Sequence, residues 1–144
     1  MSGICGIYCR DGGLVNAHQL AGMLDQLTHR GRDDSDMWYQ NSVGFGHCML
    51  WTTPESVYEH LPMVHPSGQF AITADARLDN RTELCSSLNL NQSGEIVTDS
   101  QLILAAYETW GECCPEYLLG DFAFAIWDNR KQSLFLARDH FGVK

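Results

Sequence analysis

The segment Phe122-Ala-Phe-Ala-Ile-Trp-Asp128 constrains the fold most, because its side chains are apolar at odd and even positions alike. Successive side chains of a β-strand point to opposite faces, so both faces of this strand must be covered. Residues 128–131 then predict a turn into a second apolar strand, Ser133 to Ala137. The two segments predict a central hairpin inside a layered structure.

Strand patterns outnumber helical ones elsewhere in the chain, which favours an α+β fold with mainly antiparallel sheets. Turns are predicted at Asp11–Gly13 and Asn41–Ser42, and the polar stretch from Asp75 to Arg81 should end one strand. The additional predicted strands are residues 3–9, Met37–Tyr39, Val43–His47 and Phe70–Ala74.

Three helices are predicted from periodicity and capping residues. Asn16 is a suitable N-cap for the first, which should stop near Gly31, and the second should cover Thr82 to Leu88. Thr98 and Gln101 have the spacing of a capping box at the start of the third, and Gly111 is a natural stop. The apolar faces are formed by Leu20, Met23, Leu24 and Leu27 in the first helix and Leu102, Ala105, Ala106 and Trp110 in the third.

Composition excludes several classes of protein. A chain of 144 residues fits one domain, and its net charge of −9 argues against binding to a nucleic-acid backbone. The longest apolar run is too short to cross a membrane, and the first residues do not form a secretory signal, so a cytoplasmic location is expected. The six cysteines lack metal-ligand spacing, and we expect no metal and no disulfides.

Distinct motifs occur along nearly the whole chain: Met1-Ser-Gly-Ile-Cys-Gly-Ile7, His29-Arg-Gly-Arg-Asp33, Gly46-His-Cys-Met-Leu50, Asp75-Ala-Arg-Leu-Asp-Asn80, Gly120 to Asp128, and Ala137 to Lys144. They follow one another in the order found in class II glutamine amidotransferases, and the chain resembles the amino-terminal domain of asparagine synthetases. The resemblance implies an Ntn-hydrolase fold, an αββα four-layer sandwich with two stacked, mainly antiparallel sheets.

The resemblance places the catalytic nucleophile at residue 2. In the family, an amino-terminal cysteine attacks the glutamine amide and its own α-amino group acts as the base. Ser2 holds this position, whereas Cys5 falls on a variable position and is interpreted as a filler of the first strand. Serine is the weaker nucleophile, so the rest of the pocket decides whether hydrolysis is possible.

The glutamine pocket that the resemblance implies is altered at further positions. Met49 replaces the arginine that holds the substrate carboxylate, so that group loses its charged partner. Asp75, Ala76 and Arg77 replace the family's Asn-Gly-Glu. Asp75 would repel an oxyanion, and Arg77 reverses the charge that meets the substrate ammonium.

Other positions match the family pattern. Asp99 corresponds to an acidic residue that reads the substrate amine, but an acid in the first turn of a helix explains it equally well. His29, Arg30, Gly31 and Asp33 are expected to shape a loop near the pocket. Asn80 is the shared residue on which the Asn-Gly-Glu alignment rests.

Three functions remain open. The first is a domain without glutaminase activity in an ATP-dependent amide-forming ligase, similar to β-lactam synthetases and lasso-peptide cyclases. The second is a domain of an asparagine synthetase that uses ammonia or a weak Ser2-based glutaminase. The third is a free-standing interaction module, which the absence of a Ser-Gly-Gly-x-Asp-Ser pyrophosphate loop after Lys144 would favour.

The resemblance also implies partners. The chain is expected to stop before the closing strands of the domain and to be followed by a synthetase domain of the same polypeptide. ATP and magnesium would bind in that synthetase domain, and no cofactor is expected within residues 1–144. A homodimer is possible, because members of the family pair.

Overall fold

The computed structural model describes residues 1–90 and 96–144. Its helices are α1 (Ala17–Leu27), α2 (Arg81–Ser87) and α3 (Asp99–Trp110), with short 3₁₀ helices at Glu55–Tyr58 and Gly111–Tyr117. Its strands are β1 (Gly3–Tyr8), β2 (Asp34–Gln40), β3 (Val43–Met49), β4 (Met63–Val64), β5 (Phe70–Leu78), β6 (Gly120–Asp128) and β7 (Ser133–Arg138).

The first sheet contains three antiparallel strands in the order β1–β3–β2. The predicted turn joins β2 to β3, and Asn41 adopts a positive φ of 50° there, which asparagine tolerates better than most residues. Both strands are longer than predicted, because β2 begins at Asp34 and β3 continues to Met49, where the two residues pair. The extension carries β3 to position 49, next to the amino terminus of β1.

The second sheet contains four antiparallel strands in the order β4–β5–β6–β7. The prediction that a strand ends at Ala74 is wrong, because β5 pairs with β6 as far as Leu78 opposite Gly120. The polar side chains of Asp75 and Arg77 were mistaken for a loop, although only alternate residues of this segment face the core. The two-residue strand β4 was not predicted.

The sheets stack face to face between helical layers, so the αββα prediction is confirmed. Helix α1 packs on the first sheet and α3 on β5 of the second. The central strand β6 is covered on both sides, as its apolar pattern predicts. Its face toward α3 carries Phe122, Phe124 and Ile126, and its face toward Val43 and Phe45 of the first sheet carries Ala125 and Trp127.

The predicted helix caps are confirmed. The Asn16 side chain accepts hydrogen bonds from two backbone N–H groups of α1, and Thr98 and Gln101 form a reciprocal capping box on α3. Helix α1 ends at Leu27, earlier than expected, whereas Gly111 caps α3 with a φ of 60° as anticipated.

All six cysteines are free thiols. Within residues 1–90 and 96–144, no helix is long and apolar enough to cross a membrane.

Candidate functional site

Ser2 lies at the start of β1 and is brought by strand pairing to the end of β3. Only 7% of the residue is exposed. Its Oγ accepts a hydrogen bond from the backbone N–H of Leu50 at 3.1 Å and lies 3.7 Å from Sδ of Met49. Thioether sulfur is a weak acceptor. The hydroxyl is therefore held by the chain's own backbone, and two predicted site residues, Ser2 and Met49, are in contact.

Cys5 occupies a different environment from Ser2. Its Sγ lies beside Gly46 and Leu24, under α1, where a Cβ on Gly46 would be only 2.8 Å from the sulfur. Burial raises the pKa of the Cys5 thiol, and Cys48 nearby raises it further. A thiol with a raised pKa is a poor source of thiolate, so Cys5 has the properties of a packing residue.

Asp75 and Lys144 form an ion pair at the same site. The Lys144 Nζ donates to Oδ1 of Asp75 at 2.9 Å, and the two side chains are only 10% and 11% exposed. Both residues line a cavity of about 150 Å³ with Ser2 and Arg30. The other lining residues are Gly3, Ile4, Leu27 and Ala123. The ammonium group of Lys144 thus lies in the cavity beside Ser2, the predicted nucleophile position.

Asp139 explains how Lys144 reaches the cavity. Its carboxylate accepts backbone N–H bonds from Phe141, Val143 and Lys144 at 2.9–3.2 Å, and from Phe122 at 3.3 Å. These bonds fold residues 140–144 back on the sheet and lower the pKa of Asp139. Lys144 belongs to the last motif of the sequence but was assigned no role there, although its charge opposite to Asp75 was a usable signal.

Ala76 and Arg77 do not join Ser2. Ala76 faces the other side of β5 and packs against the core beneath α3. The Arg77 side chain is 53% exposed, and its Nε lies 3.4 Å from Asp79 Oδ1, with Asp121 farther away at 3.9 Å. The guanidinium is therefore engaged at the end of the sheet, outside the cavity beside Ser2.

Asp99 is buried in the first turn of α3, where it forms an ion pair with Arg81. Burial raises the pKa of Asp99 to about 6; Arg81 opposes this effect and Glu59 adds to it. Glu59 is itself buried and accepts the Ser100 backbone N–H at 2.8 Å. Sequence reasoning missed Arg81, which directly follows Asn80. Its guanidinium pairs with the carboxylate of Asp99, which was expected to bind a substrate amine.

The loop from His29 to Asp33 is fixed against the end of β3. A Cβ on Gly31 would lie 2.2 Å from the carbonyl oxygen of Cys48, so only glycine fits there. The Asp33 backbone N–H donates to the Met49 carbonyl at 3.0 Å, and its carboxylate accepts from the Trp51 N–H at 2.8 Å. This loop places Arg30 in the cavity wall, whereas the His29 side chain is exposed.

Asn80 joins two segments away from Ser2. Its side chain donates to the carbonyl of Tyr117 and accepts from the N–H of Leu119, both at 3.0 Å. Asn80 thus connects the end of β5 to the segment that precedes β6.

His47 is a buried polar residue to which the sequence analysis gave no role. Its Nδ1 lies 3.1 Å from Thr73 Oγ1 on the facing sheet, two residues from Asp75 on the same strand. Burial lowers the pKa of His47 to about 4, although Asp75 and Asp34 act in the opposite direction. The ring is neutral at pH 7, and its Nε2 has no hydrogen-bond partner in the described part of the chain.

Comparisons with known proteins identify the family. The profile described as a glutamine amidotransferase domain matches residues 1–144. Asparagine synthetase [glutamine-hydrolyzing] 3 of Bacillus subtilis is 35% identical over 124 residues, which are 85% of this chain and 20% of that protein. Putative asparagine synthetase [glutamine-hydrolyzing] 2 of Methanocaldococcus jannaschii is 31% identical, covering all of this chain and 31% of that protein.

A solved structure shows the same fold. Glutamine phosphoribosylpyrophosphate amidotransferase from B. subtilis, complexed with ADP and GMP, superposes on the whole chain with a TM-score of 0.73 at 17% identity, over 38% of that protein's chain. Together with the match over residues 1–144, this places the chain in the glutamine amidotransferase domain family.

Proposed function

We propose that this chain is an amidotransferase-like domain without glutaminase activity, in an ATP-dependent amide-forming ligase similar to asparagine synthetases. The ion pair between Lys144 and Asp75 beside Ser2 is the observation that carries this proposal. It fills the surroundings of the nucleophile position with charged groups of the protein itself.

The hydrogen bonding of the Ser2 hydroxyl supports the absence of glutamine hydrolysis. A nucleophilic hydroxyl needs a base to take its proton and a lone pair directed at the substrate. Here one lone pair of Ser2 accepts the Leu50 N–H, and the neighbouring side chain is the thioether of Met49. Removal of Met1 would free the α-amino group of Ser2 as a base. The hydroxyl would still accept the hydrogen bond from the Leu50 N–H, which holds it at the end of β3.

The position expected to stabilise the oxyanion supports the same conclusion. Asp75 is an acceptor there, and its charge is balanced by Lys144 rather than by a ligand. Removing one oxyanion donor costs about a hundredfold to a thousandfold in rate. A glutamine would also have to displace a buried ion pair and to place its carboxylate beside an apolar Met49.

The activity of the whole protein is inferred from relatives. The chain spans only 20% and 31% of the two asparagine synthetases compared above. We infer that a synthetase domain with ATP and magnesium follows in the same cytoplasmic polypeptide, and that it uses an amine other than glutamine-derived ammonia. This domain then shapes or supports the synthetase active site.

A second function is favoured by the names of the same relatives, which describe glutamine hydrolysis. In this alternative, the parent is an asparagine synthetase with weak hydrolysis at Ser2. Lys144 would have to leave Asp75 before glutamine could enter the cavity.

Glutamate release from glutamine distinguishes the two. The folded chain, with loss of Met1 verified by intact mass, is compared with Ser2→Ala, Ser2→Cys and the matched control Cys5→Ala, each checked for folding by circular dichroism. We expect no release by any of them. Release that disappears in Ser2→Ala would refute the proposal, whereas release only by Ser2→Cys would show that the serine at position 2, and not the rest of the pocket, prevents hydrolysis. Release that depends on Cys5 would mean that the alignment of the motif is wrong.

A further inference from the structure

A groove on the outer helical layer lies apart from the cavity beside Ser2. It runs between α2 and the 3₁₀ helix that follows α3, and its volume is about 480 Å³. The buried side chains of Leu84 and Leu118 form its floor. Its walls carry aromatic and acidic side chains, and none of them takes part in the function proposed above.

One wall of the groove is a pair of stacked rings. The ring centroids of Trp110 and Tyr117 are 4.2 Å apart with an interplanar angle of 18°. Tyr117 is 48% exposed, so a ligand can reach this residue. Asn80 holds this wall through its two hydrogen bonds to residues 117 and 119, so the groove is formed before any ligand arrives.

The other polar features of the groove are carboxylates. Glu83 on α2 and Glu116 beside the stacked rings line it, and both are exposed. Neither takes part in an ion pair within residues 1–90 and 96–144, and Arg81, two positions before Glu83, is paired with Asp99. The groove therefore carries uncompensated negative charge on a chain whose net charge is −9.

We propose that this groove docks an arginine side chain of a protein partner. A guanidinium is planar and can stack on an aromatic ring while its N–H groups donate to carboxylates, and it loses less solvation than an ammonium. The ring of Tyr117 provides the stacking surface, and Glu83 and Glu116 provide the acceptors. An anionic partner, such as a nucleic acid, would be repelled by the same charges.

Titration of the ¹⁵N-labelled chain with the capped peptide acetyl-Gly-Arg-Gly-amide tests the proposal. We expect saturable shifts of the Trp110 indole signal and of the amides of residues 117–119, with a dissociation constant in the millimolar range. The neutral peptide acetyl-Gly-Gln-Gly-amide is the matched probe, and it should shift these signals much less. Equal shifts with the two peptides, or none with the arginine peptide, would overturn the proposal.

Substitutions separate the groove from general electrostatic attraction. Glu83→Gln with Glu116→Gln should weaken binding of the arginine peptide about fivefold, because two exposed charge pairs are lost. Glu112→Gln is the matched control, since this exposed acid belongs to the same 3₁₀ helix but does not line the groove. If the double variant binds as tightly as the control, the groove is not the docking site.

Discussion

Replacing Lys144 by methionine should destabilise the domain, although the residue lies near one end of the described chain. Methionine keeps much of the side-chain volume and removes the ammonium. Asp75 would then be left 11% exposed in the middle of β5 without its charged partner. A carboxylate in that position cannot move to water without disturbing the pairing of β5 with β6, where Asp75 lies opposite Ala123.

The size of the effect follows from this geometry. Breaking a buried ion pair by removing one partner costs about 3–5 kcal/mol. Residues 140–144 are held by side-chain contacts and not by strand pairing, so we expect a cost at the lower end of this range, about 3 kcal/mol. Asp75→Asn should cost less, about 1 kcal/mol, because the long side chain of Lys144 can reach solvent on its own.

Urea denaturation followed by circular dichroism measures these free energies of unfolding. The variants are Lys144→Met, Asp75→Asn, their combination, and Lys131→Met as control. The combination should be less destabilised than the sum of its parts, because no unpaired charge remains. Lys131 lies 3.9 Å from Asp128 with half of its side chain exposed, so its loss should cost less than about 1 kcal/mol.

Two results would refute this reasoning. One is a Lys144→Met variant as stable as the Lys131→Met control. The other is strict additivity of the two substitutions, which would mean that the charges at positions 75 and 144 do not interact in solution.

Other substitutions and pH changes give further tests by urea denaturation. Gly31→Ala should cost more than about 2 kcal/mol, because its Cβ meets a backbone carbonyl at 2.2 Å, whereas Gly22→Ala in the open middle of α1 should stabilise by about 0.5–1 kcal/mol. Burial lowers the pKa of His47 from 6.5 to about 4, so between these values only the unfolded chain binds the proton, and stability should fall by about 3 kcal/mol as the pH falls. An NMR titration should find the His47 ring neutral at pH 5.5. Burial raises the pKa of Asp99 from 3.8 to about 6, so as the pH falls the folded state binds a proton at Asp99 before the unfolded chain does. Asp99 therefore opposes the loss of stability caused by His47, and Asp99→Asn should make stability fall more steeply between pH 6 and 4. Asn80→Ala leaves two backbone groups without their partner and should cost about 1–2 kcal/mol.

The layered fold was predictable because its signals are local. The two apolar faces of residues 122–127 required layers on both sides, and the capping residues Asn16 and Thr98 marked the starts of two helices. Each of these signals depends on a few consecutive residues and on the periodicity of one element. The family resemblance then supplied the stacking of two sheets between helical layers, which periodicity alone does not give.

The contacts at the candidate site were less predictable, because they join residues far apart in the chain. Asp75 and Lys144 are 69 positions apart, and Arg81 reaches Asp99 across 18. Alignment with a family identifies the positions of the site residues. It does not identify the side chains of this protein that contact those residues in place of a substrate. The end of β5 was missed for a related reason, since a strand with one polar face resembles a loop until its neighbour is known.

The turn around Asp139 covers the cavity beside Ser2, and this turn can open locally with a free energy of its own. Residues 140–144 are held by a few hydrogen bonds to Asp139 and by one ion pair, whereas β5 and β6 are held by a full ladder of backbone hydrogen bonds. Segments with so few anchors open far more often than the sheets they cover. A small molecule could therefore reach Ser2 in a minor population of folded molecules, at a frequency that depends on the Asp139 and Asp75 contacts. Amide exchange at Val143 compared with Ile126 would measure that frequency directly.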